Sequence, residues 1–120
     1  MRPNLRFWAC VEGWLLILTP LAVMHVINPI AGKSMTWAQV PGLAWVIFGM
    51  LAGLGIGCLL AKENVKKHAL LFLTIFIAMA LHILAHLWQM YGPEGAHLGW
   101  DIGYNAVQAL LALWIWNKAK

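Results

Sequence analysis

His82 and His86 stand four residues apart in ALHILAHLWQM (residues 80–90), a run otherwise apolar enough to lie in a membrane, and Gln89 follows three positions later. Histidines at i and i+4 project from one face of a helix, where neutral imidazoles ligate zinc, copper or iron. A second run repeats the pattern, with Asp101, Tyr104, Asn105 and Gln108 at i, i+3, i+4 and i+7. Each set is one helical stripe. His82 and His86, completed by Asp101 or His25, would make a transition-metal set, although no HExxH motif accompanies them. Haem demands another geometry, because its axial ligands lie on opposite faces of the macrocycle. His25 with His86 would satisfy that and hold a haem b.

These residues sit in a chain that is 62% hydrophobic and 10% charged, where a soluble domain has roughly a quarter of its residues charged. The chain is therefore expected to be an all-α integral membrane protein with a single domain over residues 1–120. Apolar runs at 5–27, 40–61, 68–90 and 98–116 are each long enough to cross the membrane as a helix. They predict four transmembrane helices in an antiparallel up-down bundle. Strands are disfavoured, because the runs do not alternate and four strands cannot close a barrel. The first run begins like a signal peptide, but Glu12 interrupts it and no A-x-A-like site follows, so it is expected to remain as a span.

Arg2, Arg6, Lys62, Lys66, Lys67, Lys118 and Lys120 fall on one side of this weave and only Lys33 on the other. The positive-inside rule then places both termini and the 62–67 loop in the cytoplasm, in a cell inner membrane. Phe7, Trp8, Trp114 and Trp116 would mark the inner interface, and Trp37, Trp88, Tyr91 and Trp100 the outer one. The net charge of +4 carries no aromatic-interleaved basic stripe, so nucleic acid is not an expected partner. Cys10 and Cys58 have neither disulfide nor zinc spacing and serve as small apolar fillers.

Inside the spans, Pro20 should kink the first helix and free a carbonyl near Leu16, while Pro41 suits the first turn of the second. Gly49, Gly53 and Gly57 form a strip for close packing, within the chain or in a homodimer, and Gly55 lies off it as a point of flexibility. The facing stripes of the third and fourth helices would set Gln89 near Asp101, His86 near Tyr104 or Asn105, and His82 near Gln108. At about 1.5 Å per residue the histidines lie roughly 6–12 Å below the outer end of their helix. His25 and Asn28 add to the outer end of the first helix, and His68 and His97 lie at interfaces.

Three functions suit this arrangement. The seam can be a polar site opening outward in a binding or accessory protein, or it can serve only to hold helices together, each polar pair contributing about 0.6–2 kcal/mol. Alternatively, Glu12 in the inner third of the first span can be a proton site in a small transporter or channel. A carboxyl at that depth is expected to snorkel or to pair with a lysine. Four helices with an acidic residue in the first resemble the small multidrug resistance transporters in layout. The late proline of the first helix and the glycine-rich second loosely resemble DoxX-like membrane proteins, and no residue roles follow from either likeness. A structural subunit of a larger membrane complex suits the size and the eight tryptophans. No nucleophile, acid pair or phosphate loop indicates catalysis.

Overall fold

The structure is a computed structural model that describes residues 3–33, 35–89 and 98–120. Its elements are α1 (Leu5–Ile17), α2 (Thr19–Ile30), α3 (Gly42–Ala61), α4 (Ala69–Gln89) and α5 (Leu98–Ala119). Short 3₁₀ turns at Trp37–Gln39 and Lys62–Asn64 flank α3. Among the described residues there is no strand. Tyr91 and His97, expected at the outer side, lie outside the described residues.

Local chemistry sets the helix ends. The Asn4 side chain accepts the Phe7 N–H at 3.1 Å and starts α1. Gly32, at φ +75, follows the end of α2, where the Lys33 N–H reaches the Asn28 carbonyl at 2.8 Å. Pro41 stands just outside α3 as its N-cap residue.

The first expected span is broken rather than kinked: α1 and α2 meet at Leu18 with a bend of 58°. Pro20 has no N–H to give to the carbonyl four residues back, and its ring crowds that turn. The helix resumes with a π-type stretch, Val23–Ile27. The chain from Gly42 to Asn64 and the helix Ala69–Gln89 are long and apolar enough to cross a membrane, and the broken pair α1–α2 makes a third candidate. At 22 residues α5 is also long enough, but Asp101, Asn105 and Gln108 lower its hydropathy. The long axis of the molecule, 45 Å, matches a bilayer with its headgroups. Leu43, Leu60, Leu70 and Trp88 are more than two-thirds exposed. In water they would be unfavourable, whereas lipid receives them without cost.

Packing is concentrated in two helix pairs, α1 with α3 and α4 with α5, and α1 joins the pairs by lying against α5. Both of the α1 contacts are antiparallel: Arg6 meets Glu63 at 3.0 Å while Gly13 meets Gly55, and Trp8 meets Trp114 while Leu15 meets Tyr104. Leu16, Cys58, Phe72, Ile75, Met79 and Ile115 form the fully buried core.

The expectation that the glycine strip packs within the chain is corrected. Gly49 and Gly53 have open space where a side chain would be, and a Cβ at Gly57 would lie at ordinary distance, 3.6 Å, from Leu71. It is Gly55, on the opposite face, that takes the close contact. A Cβ there would lie 2.5 Å from the Gly13 carbonyl oxygen and 2.7 Å from Ile17. The strip at 49, 53 and 57 faces away because α1 packs on the face that carries Gly55.

Two substitutions on α3 test this crossing. Gly55→Ala should destabilise the protein by about 1–3 kcal/mol through overpacking against backbone. Gly53→Ala should be neutral or raise stability by up to about 1 kcal/mol through helix propensity. Denaturant unfolding in detergent micelles measures both.

Candidate functional site

The break in α1 leaves backbone acceptors inside an apolar bundle, where each needs a donor. The Leu18 N–H reaches the Trp14 carbonyl at 2.9 Å, and the ladder resumes from Ala22 to Leu18. Between them, the Leu15 carbonyl would take the Thr19 N–H in an unbroken helix. It accepts three side chains instead: the Tyr104 hydroxyl at 2.7 Å, the Thr19 hydroxyl at 2.9 Å and the Gln108 amide at 3.1 Å. The same Gln108 amide donates to the Thr19 oxygen at 2.9 Å. The freed carbonyl expected near Leu16 is thus recognised one residue earlier, and half of the α5 stripe serves it.

Beyond this knot a half-open cavity of about 170 Å³ lies where α2, α3, α4 and α5 converge. Thr19, Val23 and Ile27 supply the α2 wall at successive turns, and Ala44, Ile47, Phe48 and Leu51 supply the α3 wall. His82 and His86 enter from α4, and Asp101, Tyr104 and Asn105 from α5. The two histidine rings meet edge to face with centroids 4.4 Å apart. His86 Nδ1 lies 3.2 Å from Gln89 Oε1, which fixes that ring from outside the cavity. Asn105 is buried.

Five of the seam residues, His82, His86, Asp101, Tyr104 and Asn105, therefore share one cavity wall. Two others stand elsewhere: Gln89 is engaged by His86, and Gln108 is engaged at Leu15 and Thr19 rather than by His82. His25 is exposed on α2, its ring 5.6 Å from that of Trp37. It is not a cavity residue beside His86. Among the described residues no three His, Cys, Asp or Glu side chains converge to hold a metal ion.

Glu12 corrects a second expectation. Its side chain is fully buried, and neither carboxyl oxygen has a hydrogen-bond partner. It therefore neither snorkels nor meets a lysine. Gly13 beside it draws α3 too close for an exit to that side. The buried Oε1 of Gln108 is likewise without a partner. Sequence reasoning missed Thr19 and the apolar walls, for which the signal was a Thr-Pro pair level with a glutamine on a later helix.

Comparison with known protein families, with curated proteins and with solved structures finds no match. The geometry alone carries the functional reading.

Removing donors from the Leu15 carbonyl tests the knot. Tyr104→Phe should cost about 0.6–2 kcal/mol of unfolding free energy, near the low end because other donors remain. Combining it with Gln108→Leu should cost more than the sum of the single changes, because the two donors share one acceptor. A double-mutant cycle read by unfolding in micelles measures that excess.

Proposed function

We propose that this is a membrane-embedded binding protein whose outer cavity receives a small, largely apolar guest carrying a hydrogen-bonding group. The observation that carries this reading is the convergence of His82, His86, Asp101, Tyr104 and Asn105 from α4 and α5 on a cavity whose exposed surface is almost wholly apolar, with Thr19 as the polar side chain on the α2 side. Ligand sites commonly combine apolar walls with a few placed polar groups. A volume of about 170 Å³ suits a ring-sized head, since an apolar cavity of about 150 Å³ takes benzene. That size favours a small organic guest over haem, and the separation of His25 from the cavity supports the same choice. The open side leaves room for a tail lying among lipids.

The broader arrangement we propose is a four-span bundle in the cell inner membrane, with α1–α2, α3, α4 and α5 as its spans and both termini cytoplasmic. Support comes from the grouping of Arg6, Glu63, Trp8, Trp114, Trp116 and Lys120 at one end, where the Lys120 ammonium lies 4.3 Å from the Trp116 ring. His25, Trp37 and Trp45 cluster through ring contacts of 5.6 and 5.7 Å, separate from that basic end. Lipid is then the main partner. The open edge at Gly49 and Gly53 is available to another membrane subunit or a second copy.

Ligand titration followed by NMR tests the cavity. Phenol should bind roughly two- to tenfold more tightly than toluene, its size-matched apolar analogue, as one net hydrogen bond of about 0.5–1.5 kcal/mol requires. Ala44→Phe should abolish both interactions by filling the space. Equal affinities, or binding indifferent to Ala44→Phe, would count against the reading. The purified protein should show no Soret band and no stoichiometric metal. A reporter fused after Lys120 should behave as cytoplasmic, with a fused fluorescent protein folding and a fused alkaline phosphatase remaining inactive.

A further inference from the structure

Among the described residues, three buried side-chain oxygen atoms stand without partners: both carboxyl oxygens of Glu12 and the amide oxygen of Gln108. All three accept hydrogen bonds when Glu12 is ionised, so they offer one another no donor. They also lie close along the fold. The Gln108 amide nitrogen is 3.1 Å from the Leu15 carbonyl, and Glu12 precedes Leu15 by three residues on α1, about 4.5 Å along the helix axis and on nearly the same face. A single proton resolves the mismatch, because a protonated Glu12 becomes a donor and the Gln108 oxygen is a waiting acceptor.

We propose that Glu12 and Gln108 form a buried proton-binding site whose occupancy is linked to that of the outer cavity through the Leu15 carbonyl. The link is structural. Tyr104 and Thr19 line the cavity and also donate to Leu15, while Gln108 donates to the same carbonyl from one turn further along α5, toward the level of Glu12 in the antiparallel register that sets Trp8 against Trp114. A guest that engages the Tyr104 or Thr19 hydroxyl competes with the carbonyl for it. The Gln108 amide then bears more of that acceptor, and its oxygen moves relative to Glu12. Linkage is reciprocal, so a proton on Glu12 that holds Gln108 biases the hydroxyls offered to the guest. A break between two half-helices is also where membrane proteins place ion sites, since the unwound backbone there supplies oxygen atoms.

Among the described residues, Cys58 on α3 and Tyr104 on α5 are the titratable groups on the helices packed against α1 that lie close enough to interact electrostatically with Glu12. Arg6 and Glu63, on α1 and in the turn after α3, are paired with each other and exposed. No basic side chain among the described residues forms an ion pair with Glu12.

The linkage rests on the outer cavity being a binding site, but proton binding at Glu12 does not. Dicyclohexylcarbodiimide, which adds to protonated carboxyls in apolar surroundings, distinguishes the two parts in full-length protein reconstituted into liposomes. Peptide mass spectrometry should find the adduct on Glu12 and not on Glu63, Glu94 or Asp101. The adduct should diminish as pH rises, vanish in Glu12→Gln and return in Glu12→Asp, whose helix content should match the wild type. Labelling unchanged in Glu12→Gln would overturn the site, and protection by sodium chloride relative to choline chloride would replace the proton with a sodium ion. Saturating phenol, whose hydroxyl can engage Tyr104 or Thr19, should change the labelling rate at fixed pH by roughly fivefold or more, the low end of measured couplings, and in Ala44→Phe, where the cavity is filled without touching Glu12, phenol should leave that rate unchanged. Glu12-specific labelling at a rate that bound phenol does not alter would overturn the linkage alone. Failure of the cavity reading is seen separately, in the phenol and toluene titration.

Discussion

A backbone carbonyl inside a membrane must find a donor, and much of this fold is organised around one that its own helix does not serve. Pro20 breaks the first span, and Tyr104, Thr19 and Gln108 converge on the Leu15 oxygen. Leaving such a group unsatisfied in hydrocarbon costs several kcal/mol, more than any one of the three bonds contributes. That asymmetry explains why α5 keeps polar residues at the expense of its hydropathy. It also determines where the cavity opens. With α2 turned 58° from α1, successive turns of α2 present Thr19, Val23 and Ile27 to the space between α3, α4 and α5.

The second constraint is steric. Gly13 and Gly55 let the α1 and α3 backbones touch, which is how helices gain contact energy where lipid supplies no hydrophobic drive. α1 is thereby held from two sides, by α3 through backbone contact and by α5 through the donors to Leu15. Glu12 lies between these two anchors, and its burial follows from them. The α4 and α5 pair is tied to the rest chiefly through α1. The geometry of the break is therefore transmitted to both halves of the bundle.

Much of this was legible in the residue pattern. The i, i+4 and i+7 spacing of the two polar stripes placed His82, His86, Asp101, Tyr104 and Asn105 on facing helix surfaces, and five residues of that seam do share a wall. Proline chemistry located the disruption of the first span to within a turn. Which polar groups pair could not be read, because periodicity gives a face but not the rotation of one helix against another. Gln89 and Gln108 belong to their stripes yet bond to His86 and to α1. The packing of the glycines within the chain was misjudged for the same reason. Gly49, Gly53 and Gly57 make the more regular strip, but α1 packs on the opposite face, where a single glycine suffices at the point of crossing. Glu12 was misplaced because a snorkelling carboxyl needs a free path along its helix, and the proximity of α3 at the next residue closes it.

Satisfaction of hydrogen bonds separates the parts of the polar interior that hold the bundle together from the parts that remain available. The Tyr104 hydroxyl, the Thr19 hydroxyl and the Gln108 amide nitrogen are all used within the protein, and His86 is held by Gln89. These are adhesive contacts, and a structural role accounts for them. Glu12 and the Gln108 oxygen are different, since burying an acceptor without a donor weakens the fold, and at Glu12 packing alone would favour an apolar residue. Gln108 is spent on its nitrogen side and unspent on its oxygen side. It is the side chain through which a satisfied structural knot meets an unsatisfied ionisable group, and the histidine-lined cavity lies on the far side of that knot. In the proposed linkage a change at either end is carried by the Leu15 carbonyl, two of whose donors, Tyr104 and Thr19, also line the cavity.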